Sequence, residues 1–383
     1  MPIVFSNNHC MNRSNRLFFQ LLRFALGTEP DCPKMTVNEW KLMFKICTEQ
    51  CVVAFVGDAL NRAKDVLADP TPGARTEFSH LILEWMGNVL RCKRMNIKIN
   101  QDCIGVSRAF QKEGFDTCIL KGQGNASLYP NPFSRMPGDI DIWVRSMKQG
   151  MGMDEMVRDI IAFVRKKDEM AEIAYHHVEC PPYKGTPVEV HYRPQFLFSF
   201  LHNRRLQRYF SCHADVQFSH SISLGEGVVT VPTAEFNMVF QLSHIFNHLF
   251  HEGIGMRQLI DYYFVMQHLT DEERHQNWEE IFKPLGLYGM LRAMMWIFTE
   301  VFGMEPKLCL VTPDERRGRF VLNEIMIGGN FGKFDHRNRF GHGAMGRNLQ
   351  RLCRDARLLR FSPSEAIAEP FFRVWHFFWR WRH

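Results

Sequence analysis

A chain of 383 residues, 45% hydrophobic and 23% charged, has ample apolar material for packed cores and is not a disordered or low-complexity chain. Its net charge of +6 sits in one stretch, since eight basic residues between Gly328 and Phe361 face two acids there, so attraction to polyanions should concentrate in that segment. Eleven scattered cysteines without a CxxC pair argue against a disulfide framework or a cysteine zinc site and for a reducing, cytoplasmic setting, and no apolar run reaches bilayer-spanning length.

Residues 1–113 read as an N-terminal helical region. "SNRLFFQLLRFAL" has apolar spacing near 3.6 and Ser14 as its cap; the next helix has Thr36 as cap and Glu39 three residues on. "DPTPG" at 69–73 interrupts the pattern before one long helix. The sequence leaves open whether these helices form a platform, a cap or a partner surface.

At Gly114 the texture changes, and 114–232 reads as a small α/β core. "DTCIL" and "GDIDIWV" are strands, joined by "KGQGNASLY", a turn feeding a helix. Residues 153–167 read as helical. "AEIAYHHVEC" and "PVEVHYRP" are strand candidates around a "PPYKGT" turn, and "GVVTVP" is a last short strand. Helices resume over 233–383, through 278–303 and 314–327, then 346–360, then from "SPSEA". The fold class is therefore α+β: a small mixed sheet between two helical regions.

The chemistry concentrates in "SRMPGDIDIWV". Strand side chains alternate, so Asp139, Asp141 and Trp143 share one face while Ile140, Ile142 and Val144 share the other. Neighbouring carboxylates repel, and a divalent cation is the commonest chemical reason to keep them together. Glu189 alternates in the same way between Val188 and Val190 and is the candidate third acid of a two-metal site. Solvated acids at a strand end are the competing reading, which a second acidic strand weakens. Lys121 and Gly122 directly follow a strand, where a glycine lets backbone N–H groups approach a phosphate; Gly124 and Gly138 join them, and Arg135 is a further candidate for phosphate charge.

"LKGQGNASLYPNPFSRMPGDIDIWV", "VEVHYRP" and "HIFNHLFHEGIGMRQLIDYYF" together resemble an uncharacterised bacterial nucleotidyltransferase family of the DNA polymerase β-like superfamily, over roughly residues 115–380. The resemblance implies a nucleotidyltransferase sheet with Gly122, Asp139, Asp141 and Glu189 in the catalytic positions. It implies transfer of NMP from an NTP, ATP among the candidates, to a hydroxyl on a small molecule, protein or RNA. Two Mg²⁺ or Mn²⁺ ions would be held by Asp139, Asp141 and Glu189. A nucleotide sensor without turnover and a helical RNA-binding protein are the alternatives.

Beyond the acids, His191 is a candidate cleft residue. His244, His248 and His251 recur at i, i+4 and i+7, a spacing that suits either zinc ligands or the polar wall of a cleft, and the wall is preferred beside a hard-cation site. Arg257 and Asp261, at i and i+4, should pair. In "RNLQRLCRDARLLR" the arginines Arg347, Arg351, Arg354 and Arg357 fall opposite Leu349, Leu352, Ala356 and Leu359. The expectation is a surface helix packed by its leucines, with docking of RNA on the arginines as the sharper alternative. The tail "FFRVWHFFWRWRH" should dock on the core, with a membrane interface or base stacking as alternatives.

Overall fold

The computed structural model describes residues 12–63, 65–148, 150–337 and 343–382. Helix α1 (Arg13–Leu26) is capped by Asn12, whose side chain accepts from the Asn15 N–H at 2.8 Å. The expected cap, Ser14, already lies inside the first turn. Thr36 and Glu39 form the expected capping box of α2 (Val37–Glu49). After α3 (Val53–Leu60), Pro72 starts α4 (Pro72–Lys112), a 41-residue helix roughly 60 Å long.

The middle of the chain folds as β1 (Phe115–Ile119), α5 (Gln123–Ala126), β2 (Ile140–Ser146), α6 (Met153–Arg165), β3 (His177–Tyr183) and β4 (Thr186–His191). Four strands form one mixed sheet in the order β1-β2-β4-β3; β2 and β4 run parallel and the outer strands antiparallel. Lys184 and Gly185 turn β3 into β4 with φ of 50° and 82°, as a tight hairpin requires. Two elements escaped the sequence reading: α7 (Phe200–Ser219), and β5 (Ser221–Leu224), which pairs with β6 (Gly227–Thr230).

The last third is helical: α8 (Ala234–His251), α9 (Met256–Gln267), α10 (Asp271–His275), α11 (Trp278–Phe282), α12 (Tyr288–Glu300), α13 (Glu315–Gly328), α14 (Ala344–Leu358) and α15 (Pro363–Arg382). The single helix expected over 278–303 is two, because "KPLG" separates α11 from α12 and Gly286 takes a left-handed φ of 71°.

Two cores result. The smaller holds Ile140, Ile142, Val144, Val188 and Val190 against α6 and the C-terminal half of α4. The larger joins Phe18, Trp40 and Trp85 of the N-terminal helices to Phe246, Leu259 and Met294 of the C-terminal ones, and takes in Cys118 and Trp143 from the other face of the sheet. That second sheet face, which carries Asp141 and Glu189, is therefore the one turned toward the larger core.

Helix α14 sits the opposite way round from the expectation. Leu349, Leu352 and Leu359 are exposed, whereas Arg354, Asp355 and Leu358 are buried. Burial, and then the Arg357 charge, lower the Arg354 pKa, and the nearby Asp335 and Glu324 charges offset this only in part. The tail docks through one face of α15, where Phe372 stacks on Phe196 with ring centroids 4.8 Å apart. The fully buried Glu365 accepts from the Phe198 and Ser199 N–H groups and lies 2.7 Å from His202 Nδ1.

Candidate active site

Between the sheet face that carries Asp141 and Glu189 and the helices α8–α9 lies a cavity of about 380 Å³. The register of β2 on β4 sets Asp141 directly beside Glu189 and Trp143 beside His191, all on that face. Antiparallel pairing then brings His177 of β3 opposite His191. Sequence alternation thus gives each carboxylate its face, and the parallel pairing brings the two together.

Asp141 is buried and doubly compensated. Its Oδ1 accepts from Lys121 Nζ at 2.7 Å and from His191 Nε2 at 3.1 Å. Burial alone would raise its pKa, but the Lys121 charge and the His191 hydrogen bond overcome this and hold the carboxyl far below its ordinary value. His191 Nε2 also lies 3.4 Å from Glu189 Oε2. Burial opposes the imidazolium, yet the hydrogen bonds to Asp141 and Glu189 raise His191 to about 9. Glu189 is half-exposed; burial raises its pKa, but the His191 hydrogen bond leaves it below the ordinary value. Asp139 stands just before β2 on the cavity wall, and its pKa is raised first by the Asp141 charge and then by the loss of water around it in the cavity.

Lys121 follows β1, where the Leu120 N–H donates to the Asp141 carbonyl at 2.9 Å and fastens this corner to β2. Gly122 adopts φ 56° and ψ −105°, a left-handed conformation that side chains resist, and it lines the cavity with Gly138. Gly124 faces away: a Cβ there would meet Val231 Cγ1 at 3.3 Å, so this glycine serves packing. Arg135 reaches the wall with its charge already matched. It donates from Nε and Nη2 to both Asp261 oxygens at 2.8 Å, and Tyr129 adds a hydroxyl donor at 2.7 Å. Asp261 therefore pairs with Arg135 and not with Arg257, which donates to the Met136 carbonyl at 3.0 Å.

His244, His248 and His251 of α8 form the opposite wall. Burial lowers all three, His248 to about 4, so they are neutral near pH 7. Among the described residues, the clusters of possible metal-ligand atoms lie instead at the sheet: Asp141, Glu189 and His191, and next to them His176, His177 and His191, the atoms of each set within 4.8 Å of one another. His176 and His177 were not singled out from the sequence. The signal for His177 is the alternation of β3, which sets it on one face with Glu179 and hence, through the hairpin, with Glu189. Gln195, Asn125 and Gln241 also line the cavity; Gln195 lies 3.1 Å from His244 Nδ1, and the two amides of Asn125 and Gln241 bond each other. Of the basic segment, Phe331 and Lys333 line the cavity, and Arg351 and Arg354 act electrostatically on His251 and Glu252 at its edge. Arg339 lies outside the described residues.

Compared with known proteins, the chain matches the family described as "Uncharacterised nucleotidyltransferase" over residues 36–303. No curated protein and no solved structure matches it.

Proposed function

Because the chain belongs to the uncharacterised nucleotidyltransferase family, we propose that the sheet-side cavity transfers NMP from an NTP to a hydroxyl-bearing acceptor with release of pyrophosphate, by a polymerase β-like, metal-assisted route. The observation that carries this reading is the adjacency of Asp141 and Glu189 across β2 and β4, with Asp139 on the cavity wall beside them.

The donor set suits a hard cation. Asp141 and Glu189 are held ionised, and Asp141 is already matched by two cationic groups, Lys121 and His191. Asp139, Asp141 and Glu189 would hold magnesium or manganese, one ion or two. Bound there, a divalent cation lowers the pKa of an acceptor hydroxyl and neutralises the departing pyrophosphate.

The chain's own groups do the rest. Lys121 supplies charge beside Asp141, and the left-handed Gly122 gives phosphate oxygens access to backbone. His191 orients Asp141 through Nε2. In the reaction the acceptor oxygen bonds to the α-phosphorus, the bond to pyrophosphate breaks, and Glu189 takes the hydroxyl proton. The neutral histidines of α8 enclose the acceptor side with uncharged polar groups.

The test is incubation with α-labelled nucleoside triphosphates, Mg²⁺ and a cell extract. Label should appear on a metabolite or macromolecule, and Asp141→Asn should lower transfer by about 10³-fold or more with the circular dichroism unchanged. Unimpaired transfer by that folded variant would overturn the site. Tight nucleotide binding without any label transfer would select a sensor.

A further inference from the structure

Helix α15 is apolar on two sides. One side is buried through Ala366, Phe372 and Trp379. The other carries Ile367, Phe371, Val374, Phe378 and Trp381, whose alternating steps of four and three keep them within roughly 80° of the helix circumference. That second side faces solvent: Phe371 is 67%, Phe378 60% and Trp381 81% exposed. Singly exposed apolar residues are ordinary, but a five-residue stripe ending in tryptophan is not. The neighbouring α14, tied to α15 by Arg373 donating to Asn348 at 2.9 Å, exposes Leu349, Leu352 and Leu359 as well.

Charge selects the occupant. Between residues 343 and 382 the acidic side chains are Asp355, Glu365 and Glu369, and all three are buried. Arg347, Arg360, Arg380 and Arg382 are exposed. The surface offered outward is thus apolar and cationic with no exposed acid in the segment. A second copy laid on this face would set arginine against arginine, whereas an anionic bilayer satisfies both halves of the pattern, apolar residues entering the acyl boundary and arginines meeting lipid phosphates. No helix among the described residues is long and apolar enough to cross a membrane, so the contact is one of lying on the surface.

We propose that the solvent face of α15, extended by the exposed leucines of α14, is a docking surface for an anionic lipid bilayer. The stripe lies outside the nucleotide cavity, and its loss leaves nucleotide binding in place.

The experiment is co-sedimentation of the full chain with vesicles of phosphatidylcholine alone and of phosphatidylcholine with phosphatidylglycerol. Binding is expected to the anionic vesicles and to weaken with salt. The triple variant Phe371→Ser, Phe378→Ser, Trp381→Ser should bind about tenfold less or worse, with far-ultraviolet circular dichroism and nucleotide binding unchanged. Arg382→Glu, which leaves every aromatic in place, should also weaken the binding. Equal recovery with neutral and anionic vesicles, or none with either, overturns the proposal. So does a concentration-dependent dimer in light scattering that the triple variant abolishes, which would make the face a self-association seam. RNA displacing the protein from vesicles through the aromatic stripe would assign the face to RNA.

Discussion

Arg135 and Asp261 meet through two hydrogen bonds in a site where both side chains are almost wholly buried. Such a pair adds little over an apolar replacement, but removing one partner strands the other as an uncompensated charge. Arg135→Ala should therefore cost about 3–5 kcal/mol of stability, read in denaturant unfolding. Combining it with Asp261→Asn should recover part of the loss. An unchanged midpoint with a raised KM for the NTP would instead give Arg135 the phosphate role that its position in the sequence suggests. Lys121 differs in kind, because its partner Asp141 belongs to the proposed cation site and its charge can be reassigned.

At the scale of elements, α14 and α15 are held together across buried acids. Burial, and then the Glu369 charge, push the Asp355 carboxyl up to about 8 from an ordinary value of 3.8. Glu369 is itself held by Arg373 at 2.9 Å. The raised pKa means that the folded state binds the Asp355 proton more tightly than the unfolded chain does. The helix pair is thus most stable below about pH 4 in this group's contribution, and loses that contribution as pH rises toward about 8. Hydrogen exchange of α14 and α15 should accelerate between pH 5 and pH 9 beyond the intrinsic chemical rate, and Asp355→Asn should flatten that excess. Leucine spacing predicts a contact through Leu349, Leu352 and Leu359, whereas the side that is buried carries Arg354, Asp355 and Leu358.

The whole molecule is organised by a core that ignores chain order. Phe18 and Trp40 belong to one apolar cluster with Phe246 and Met294, and the buried Gln50 accepts from the Met256 N–H at 2.9 Å while donating to the Ile325 carbonyl at 3.2 Å. The N-terminal helices are therefore part of the C-terminal packing and not a removable cap. A chain lacking residues 1–69 should lose cooperative unfolding and near-ultraviolet circular dichroism and should bind a hydrophobic dye. A truncated chain that unfolds cooperatively would contradict this.

Much of the candidate site is legible in "GDIDIWV" and "PVEVHY", because a period of two assigns each acid to a face whatever surrounds it. Local chemistry likewise gives the Thr36 capping box, the long helix after Pro72 and the hairpin at Lys184-Gly185. Those features depend on residues adjacent in sequence. What only the tertiary structure decided is which faces meet: β2 beside β4, His176 and His177 beside Glu189, Arg135 with Asp261, and α14 turned arginine-inward. Each of these joins residues far apart in the chain, through burial and charge that periodicity does not encode.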